Sequence, residues 1–384
     1  MKTIFKKFTA LLFLAFVVAC NKNDGIPIIT PANMISNELT LSDIADEVGY
    51  IKLDNSFLLS EIKDIKKTED RYFIRTSDGL FCFDSDGIFI RQIGKKGKGP
   101  QEYSWVSDFT LDKDMGLIYL IDHKKVMVFT FLGELKTIFP TPGEHSLSNI
   151  YFYNNHLYFP KGFGFGGLET EWFETDTSGN VIRKKNNYIA NIKPMVEYSP
   201  NLMFYNDKGL YYWNQLNDTI FSVDKNIEPA YWFAKDKFRI TATDLQSEDN
   251  YRNKASWQLL SLQATNRFMV FDYLLLKDKK EIFAIYDITK RKMYEWQVLD
   301  NFEARGVNTF DSGPVFIPKS ISKINNDEYF TSWVDSYLLK AHIASEAFKN
   351  STPEFSEKKE GLEQLANSLD ENDNPVLVLV RLKE

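Results

Sequence analysis

From residue 48 onward the chain alternates short apolar runs with turn residues, and the runs have the length of strands. Residues 80–83 (Leu-Phe-Cys-Phe) and 88–93 flank the turn Asp84-Ser85-Asp86-Gly87, and a further strand is predicted at 106–111. Between these runs lies Gly94-Lys95-Lys96-Gly97-Lys98-Gly99-Pro100-Gln101-Glu102-Tyr103. Its three glycines and one proline suit neither helix nor strand, so it reads as a joint between two sheet units.

The unit repeats. Turn glycines fall at Gly87, Gly133 and Gly179, each 46 residues after the last. Asn226 takes that place in a fourth copy, 47 residues on, and Asn shares with Gly a tolerance of positive φ. A fifth copy, residues 286–292, follows a longer joint. In the second unit the strands are predicted at 106–111, 117–122, 126–131 and 134–139. Four strands in a period in the forties is the pattern of a β-propeller blade. A β-solenoid repeats faster, and a sandwich has no reason to keep its turns at constant spacing. Five turns and a C-terminal remainder therefore predict an all-β fold, a six-bladed β-propeller of four-stranded antiparallel blades.

The remainder also predicts how the ring closes. Residues 315–324, 328–334 and 376–382 supply three strands of the last blade, and an orphan strand at 48–53 supplies the fourth. The N-terminal strand thus sits in the last blade and removes two exposed edges. A helical insert at about 338–371 interrupts that blade, with Thr352-Pro353 as a helix start. Leu362, Leu365, Ala366 and Leu369 form an apolar stripe expected to dock on the ring. The propeller is assigned to residues 46–384.

The N-terminus reads as an address. Lys2, Lys6 and Lys7 precede an apolar run at 8–18, too short to span a bilayer, which needs about 20 residues. The run ends Val17-Val18-Ala19-Cys20, which resembles a bacterial lipobox. Residues 1–19 are then a lipoprotein signal peptide, Cys20 the acylated residue, and 20–45 the lipidated cysteine and its polar tether. Acyl chains such as palmitate make the membrane a partner through the N-terminal lipid. The expected location is the cell envelope, as an outer-membrane lipoprotein.

Composition supports this picture. Aromatic residues make up 15%, with 31 Phe and 19 Tyr, which favours strands. The formal charge is −7, and loss of residues 1–19 with their three lysines takes it to −10, which argues against a nucleic-acid partner. Two cysteines, Cys20 and Cys82, make no disulfide framework, and Cys82 falls on a predicted strand as a small buried hydrophobe.

With these residues in hand, the chain resembles the 6-bladed β-propeller lipoproteins of Gram-negative gut-type bacteria, which are related to NHL-repeat propellers. The resemblance rests on the joint from Ile93 to Tyr103, similar to that family's Gly-x-x-Gly-x-Gly-Pro-x-Glu-Tyr. It rests also on Leu216-Asn217-Asp218-Thr219-Ile220-Phe221 with Glu228-Pro229-Ala230-Tyr231, and on the terminal Asn372-Asp373-Asn374-Pro375-Val376-Leu377-Val378-Leu379. It implies a propeller and a lipid anchor, and no particular chemistry. NHL-type propellers include metal-dependent lyases, so the resemblance also allows a lyase or hydrolase with a metal in the central channel.

Motifs for chemistry are missing from the sequence. Gly-x-x-x-x-Gly-Lys-Ser/Thr and Gly-x-Ser-x-Gly are absent, and the element after Tyr103 is a strand where phosphate cradling needs a helix. Placing Gly87 sixth in a calcium loop puts Cys82 first and Ile93 twelfth, where a Glu is needed. His123, His145, His156 and His342 have no zinc spacing, and only His123 and His156 could approach one another across blades. No cofactor is expected.

What remains is geometric. Strands alternate direction, so the loops between second and third strands share a face with the joints between blades. That face gathers Lys95, Lys96, Lys98, Glu102 and Tyr103 from the first joint, Phe163 and Phe165 from a Gly-rich loop, and Tyr188 and Tyr198 from the third joint. The fourth joint adds Tyr251, Arg252 and Lys254. Aromatics interleaved with cations on a rigid ring suit a peptide, a glycan or an envelope protein, bound without catalysis. The same aromatics could instead pack between blades.

Overall fold

The computed structural model describes residues 27–30, 35–36, 39–143, 147–161, 169–187, 201–234, 241, 243–247, 249, 257–275, 280–300, 303–305 and 308–383. Six sheets of at least four strands form the six blades of a propeller. Blade one comprises Ile62–Lys67, Arg71–Thr76, Leu80–Asp84 and Phe89–Ile93, each antiparallel to the next. Blades two to five repeat this meander within residues 108–140, 151–186, 201–233 and 257–300. The first strands of neighbouring blades touch, so they line the centre of the ring.

The 46-residue period has a local cause. At the third turn, Asp176 Oδ1 accepts from the Ser178 and Asn180 N–H groups at 2.9 Å each, and the Gly179 N–H donates to the Asp176 carbonyl at 3.1 Å. Asp84 Oδ1 does the same for Asp86 and Ile88, and Thr130 Oγ1 for Leu132 and Glu134. Gly87, Gly133 and Gly179 all have φ between +81° and +89°. Just before each turn the pairing with the fourth strand slips by one residue, a bulge that sharpens the hairpin. The fourth turn differs, since Asn226 is not among the residues of positive φ. In the fifth it is Arg291 that turns left-handed, at φ 54°.

The ring closes as the repeat predicts. The last blade holds Ser320–Ile324, Asp327–Val334, Val376–Leu382 and, as its outer strand, the N-terminal Ala45–Lys52. Leu379 pairs with Gly49 and Val380 with Val48. The predicted strand at 315–324 begins only at Ser320. Pro314 and Pro318 deny the preceding backbone its donors, and pairing resumes where the Lys319 N–H donates to the Thr331 carbonyl at 3.0 Å.

The chain before that strand is partly structured. Ile28–Ile29 lies parallel to the outer strand of blade four and Ile35–Ser36 parallel to that of blade five, inside the segment the sequence assigns to a tether. Leu39, Leu41 and Ile44 are buried at the seam between blades five and six.

The core lies between blades. Separate apolar clusters fill the seams between blades one and two, two and three, three and four, four and five, five and six, and six and one. Cys82 belongs to the first of these, and burial pushes its thiol up to about 11.

The insert in blade six forms helices at Ser336–Ala344, Glu346–Lys349 and Ser356–Asn367. The last starts three residues beyond Pro353 because the Glu354 and Phe355 N–H groups donate to the Thr309 and Phe310 carbonyls, which ties 354–355 to the joint before the helix can begin. Leu362, Ala366 and Leu369 pack with Leu339, Ile343, Phe348 and Val376, so the stripe docks as expected.

Candidate functional site

The first joint is a structural knot. Tyr103 is 0% exposed in the seam between blades one and two, and its hydroxyl oxygen accepts from Gln92 Nε2 at 3.1 Å and the Leu80 N–H at 3.4 Å. Glu102 Oε2 accepts from the Gly99 N–H at 2.9 Å, and Lys95 Nζ lies 3.4 Å from its other oxygen. The Gly99 N–H, helped by Lys95, holds that carboxyl below the usual range. A side chain at Gly97 would collide with the same carboxylate. Lys95 and Lys98 remain exposed, and Lys96 Nζ reaches Asp78 Oδ1 at 3.3 Å.

Sequence reasoning overlooked Trp105, which stands 43% exposed where the joint ends. The buried Asp122 accepts from the Ser104 and Trp105 N–H groups and sets the course of the chain there. The predicted contributors Phe163, Phe165, Tyr188, Tyr198, Tyr251, Arg252 and Lys254 lie outside the described residues, as does Cys20.

The histidine pair does not assemble. His123 sits in the hairpin between the second and third strands of blade two, at φ 55°, 3.7 Å from Asp122. His156 opens the second strand of blade three, at the opposite end of the ring, and its Nδ1 lies 2.8 Å from Glu174 Oε1. On the innermost strands, Lys66 Nζ bridges Asp64 at 2.6 Å and Asp108 at 3.4 Å. Among the described residues no group of three or more His, Cys, Asp or Glu side chains is placed to hold a metal ion.

A cavity of about 1100 Å³ opens instead where the ring closes. Its walls are the joint from blade five to blade six, the helical insert, the inner strands of blade five and the start of blade one. The joint and the insert emerge on the same face as the first joint, so this is the face the sequence singles out, at a different place.

Dedicated bonds hold the cavity open. The buried Asp311 accepts from Asn308 Nδ2 at 2.7 Å, the Gly313 N–H at 2.8 Å and the Tyr50 hydroxyl at 2.8 Å. Burial raises the Asp311 pKa against those bonds, and burial with Asp311 alongside raises that of Tyr50. His342 Nε2 lies 2.8 Å from the Ser312 carbonyl, and Trp296 Nε1 donates to the Phe316 carbonyl at 2.8 Å. The Phe310 and Phe355 rings stack at 4.3 Å and tie the joint to the insert. Each bond fixes backbone that would otherwise be free to collapse inward.

The cavity lining is partly apolar, through Val315, Ile317, Leu338, Phe348 and Val378, and partly charged. Among the charged residues, Asp272 and Glu281 are diagonal neighbours on one face of the second and third strands of blade five, and Asp272 Oδ1 has no hydrogen-bond partner. Burial, then the Glu281 charge beside it, pushes Asp272 up to about 8. Lys319 Nζ lies 4.1 Å from the centre of the Trp333 ring. Desolvation lowers its pKa, against the pull of Asp335, Glu61 and Glu281. A lone Asp in the apolar run Phe268-Met269-Val270-Phe271-Asp272-Tyr273-Leu274 was the sequence signal for this charged part.

The family described as a domain of unknown function, DUF4934, matches residues 26–381. A crystal structure of a protein described as exported, from Bacteroides fragilis, superposes with a TM-score of 0.71 at 20% identity, covering 94% of this chain and 100% of that one. A DUF4221 family member from Bacteroides vulgatus gives 0.49 at 11% identity, with 88% and 97% covered. The extracellular domain of a one-component system from B. thetaiotaomicron gives 0.41 at 9% identity, with 74% and 38% covered. No curated protein matches.

Proposed function

The chain belongs to the DUF4934 family, and we propose that this member is an exported, lipid-anchored binding module that takes its ligand on the joint face without transforming it. The observation that carries this reading is the cavity at the closing seam, held open by Asp311, His342 and Trp296. Its size suits a small molecule or a peptide side chain with its neighbours. The exposed Lys95, Lys98 and Trp105 extend the same face. A peptide, a glycan end or an envelope protein are the ligand classes that such a surface suits.

Export and anchoring rest on Lys2, Lys6, Lys7, the apolar run and Cys20, and the B. fragilis relative described as exported goes the same way. The joint from Ile93 to Tyr103 resembles that of propeller lipoproteins related to NHL-repeat propellers. With several acyl chains on Cys20 the protein sits at the outer membrane.

Two measurements test this. Cells labelled with a fatty-acid analogue should mark the wild type and not Cys20→Ala; equal labelling refutes the anchor. Mature protein, screened for thermal stabilisation against peptide and glycan fractions of the envelope, should gain stability from at least one. That gain should disappear in Trp333→Ala. A gain that Trp333→Ala leaves intact places the ligand elsewhere.

A further inference from the structure

We infer that the charged part of the cavity at the closing seam takes the ammonium group of an amphipathic organic cation, whose apolar body lies along the last joint and the helical insert. This rests on the cavity being the ligand site.

The charges decide the sign of the ligand. Four carboxyl groups, Glu61, Asp272, Glu281 and Asp335, line the cavity against two amines, Lys63 and Lys319. Lys63 is engaged by Glu61 at 2.5 Å, and Lys319 is drawn toward Glu61, Glu281 and Asp335. That leaves the Asp272 carboxyl, with Oδ1 unpartnered, as the group least compensated. Glu281 stands diagonally beside it on the next strand, and two like charges so placed repel, which favours a proton on Asp272. An ammonium brings N–H donors and a full positive charge to the same place, and so replaces that proton with a better partner. A carboxylate ligand would meet four acids, and an alcohol would leave the pair as it is.

The Trp333 ring already carries Lys319 at 4.1 Å, so a cation is at home beside it. The apolar part of the lining, Val315, Ile317, Leu338, Phe348 and Val378, suits the apolar body.

Binding then expels one proton. Glu281, on the third strand of the blade, is the charged group that acts on Asp272, and the other titratable groups lining the cavity are Lys319 from the joint, Glu61 and Lys63 from blade one, Tyr50 from blade six, and Asp335 and His342 at the insert. The Asp272 proton is the one lost, so affinity rises with pH by up to about tenfold per unit and levels off near the value at which Asp272 ionises unaided.

The test compares phenylbutylammonium, phenylbutanol and phenylbutanoate, one apolar body with three heads, by calorimetry on the intact mature protein. The ammonium should bind at least about tenfold tighter than the other two. It should release a proton, seen as a dependence of the measured heat on the buffer's ionisation enthalpy. Asp272→Asn should lose both the preference and the proton release, and Glu281→Gln should weaken both. Proton release from the wild type tests the inference even if a variant fails to fold. Equal binding of the alcohol, tighter binding of the carboxylate, or cation binding without proton release overturns it. No binding of any of the three defeats the cavity as the ligand site as well.

Discussion

Asn374 holds Leu59 in place across the closing seam: its Oδ1 accepts from the Leu59 N–H at 2.7 Å. Its Nδ2 donates to the Asp54 and Phe57 carbonyls at 2.7 Å each, and its own N–H donates to Asn55 Oδ1 at 2.8 Å. One residue at the start of the third strand of blade six therefore satisfies the link between the outer strand of that blade and blade one. Asn374 is 2% exposed, so these bonds are made away from water. Asn374→Ala leaves two carbonyls and one N–H without partners and should cost about 3 kcal/mol or more. Urea denaturation measures it, and cleavage within 54–61 by a protease should rise in step. A loss under about 1 kcal/mol would show the seam to be held by its strand pairing alone.

The turn glycines separate two effects that usually come together. Gly87 and Gly133 share the same left-handed φ, +85° and +81°. A Cβ at Gly87 would run into the Lys52 carbonyl, backbone of the preceding blade, whereas at Gly133 the nearest atoms are 3.5 Å away. Gly133→Ala should therefore cost only the backbone strain, about 1 kcal/mol. Gly87→Ala should cost clearly more, because a strand in the closing blade must shift. Equal midpoints in thermal unfolding would mean that blade six yields at no cost.

The ring was legible because its causes are local. Asp84, Thr130 and Asp176 cap their turns with their own side chains, and each glycine is required where it stands, so the period is written in the residues themselves. The closing strand could be placed because an unpaired apolar run and a vacant edge must find each other. The cavity was not legible. Asp272 and Lys319 are 47 positions apart, and only the path of the last joint brings them to one wall. Tyr103 was misleading for a physical reason. In such a joint an aromatic fills the seam, and 0% exposure leaves it nothing to offer a ligand.

That placement makes Tyr103 a stability residue. Its hydroxyl caps the Leu80 N–H at 3.4 Å and Gln92 Nε2 at 3.1 Å beside Gly79. Tyr103→Phe keeps the ring in the seam and removes the oxygen, so it should lower stability by about 1 kcal/mol. Ligand affinity at the closing seam should stay as it is. A loss of affinity with stability unchanged would return Tyr103 to the binding surface.

Stability itself should report the carboxyl pair. Asp272 is raised to about 8, by burial first and the Glu281 charge second. An acid whose folded value lies above its unfolded value takes up a proton on folding, so the native state binds more protons than the unfolded chain between the two values. Its contribution is most favourable below the unfolded value, near 4, declines as pH rises toward 8, and is constant above. Burial raises Asp311 as well, which slopes the same way, while the lowered Lys319 contributes with the opposite sign. The comparison with Asp272→Asn isolates the one group. Urea midpoints of the wild type should fall from about pH 5 to pH 8, and the variant should fall less and be the more stable of the two at the upper end. Parallel curves for the two proteins would mean that Asp272 ionises at an ordinary value, and the expelled proton would have no place in the site.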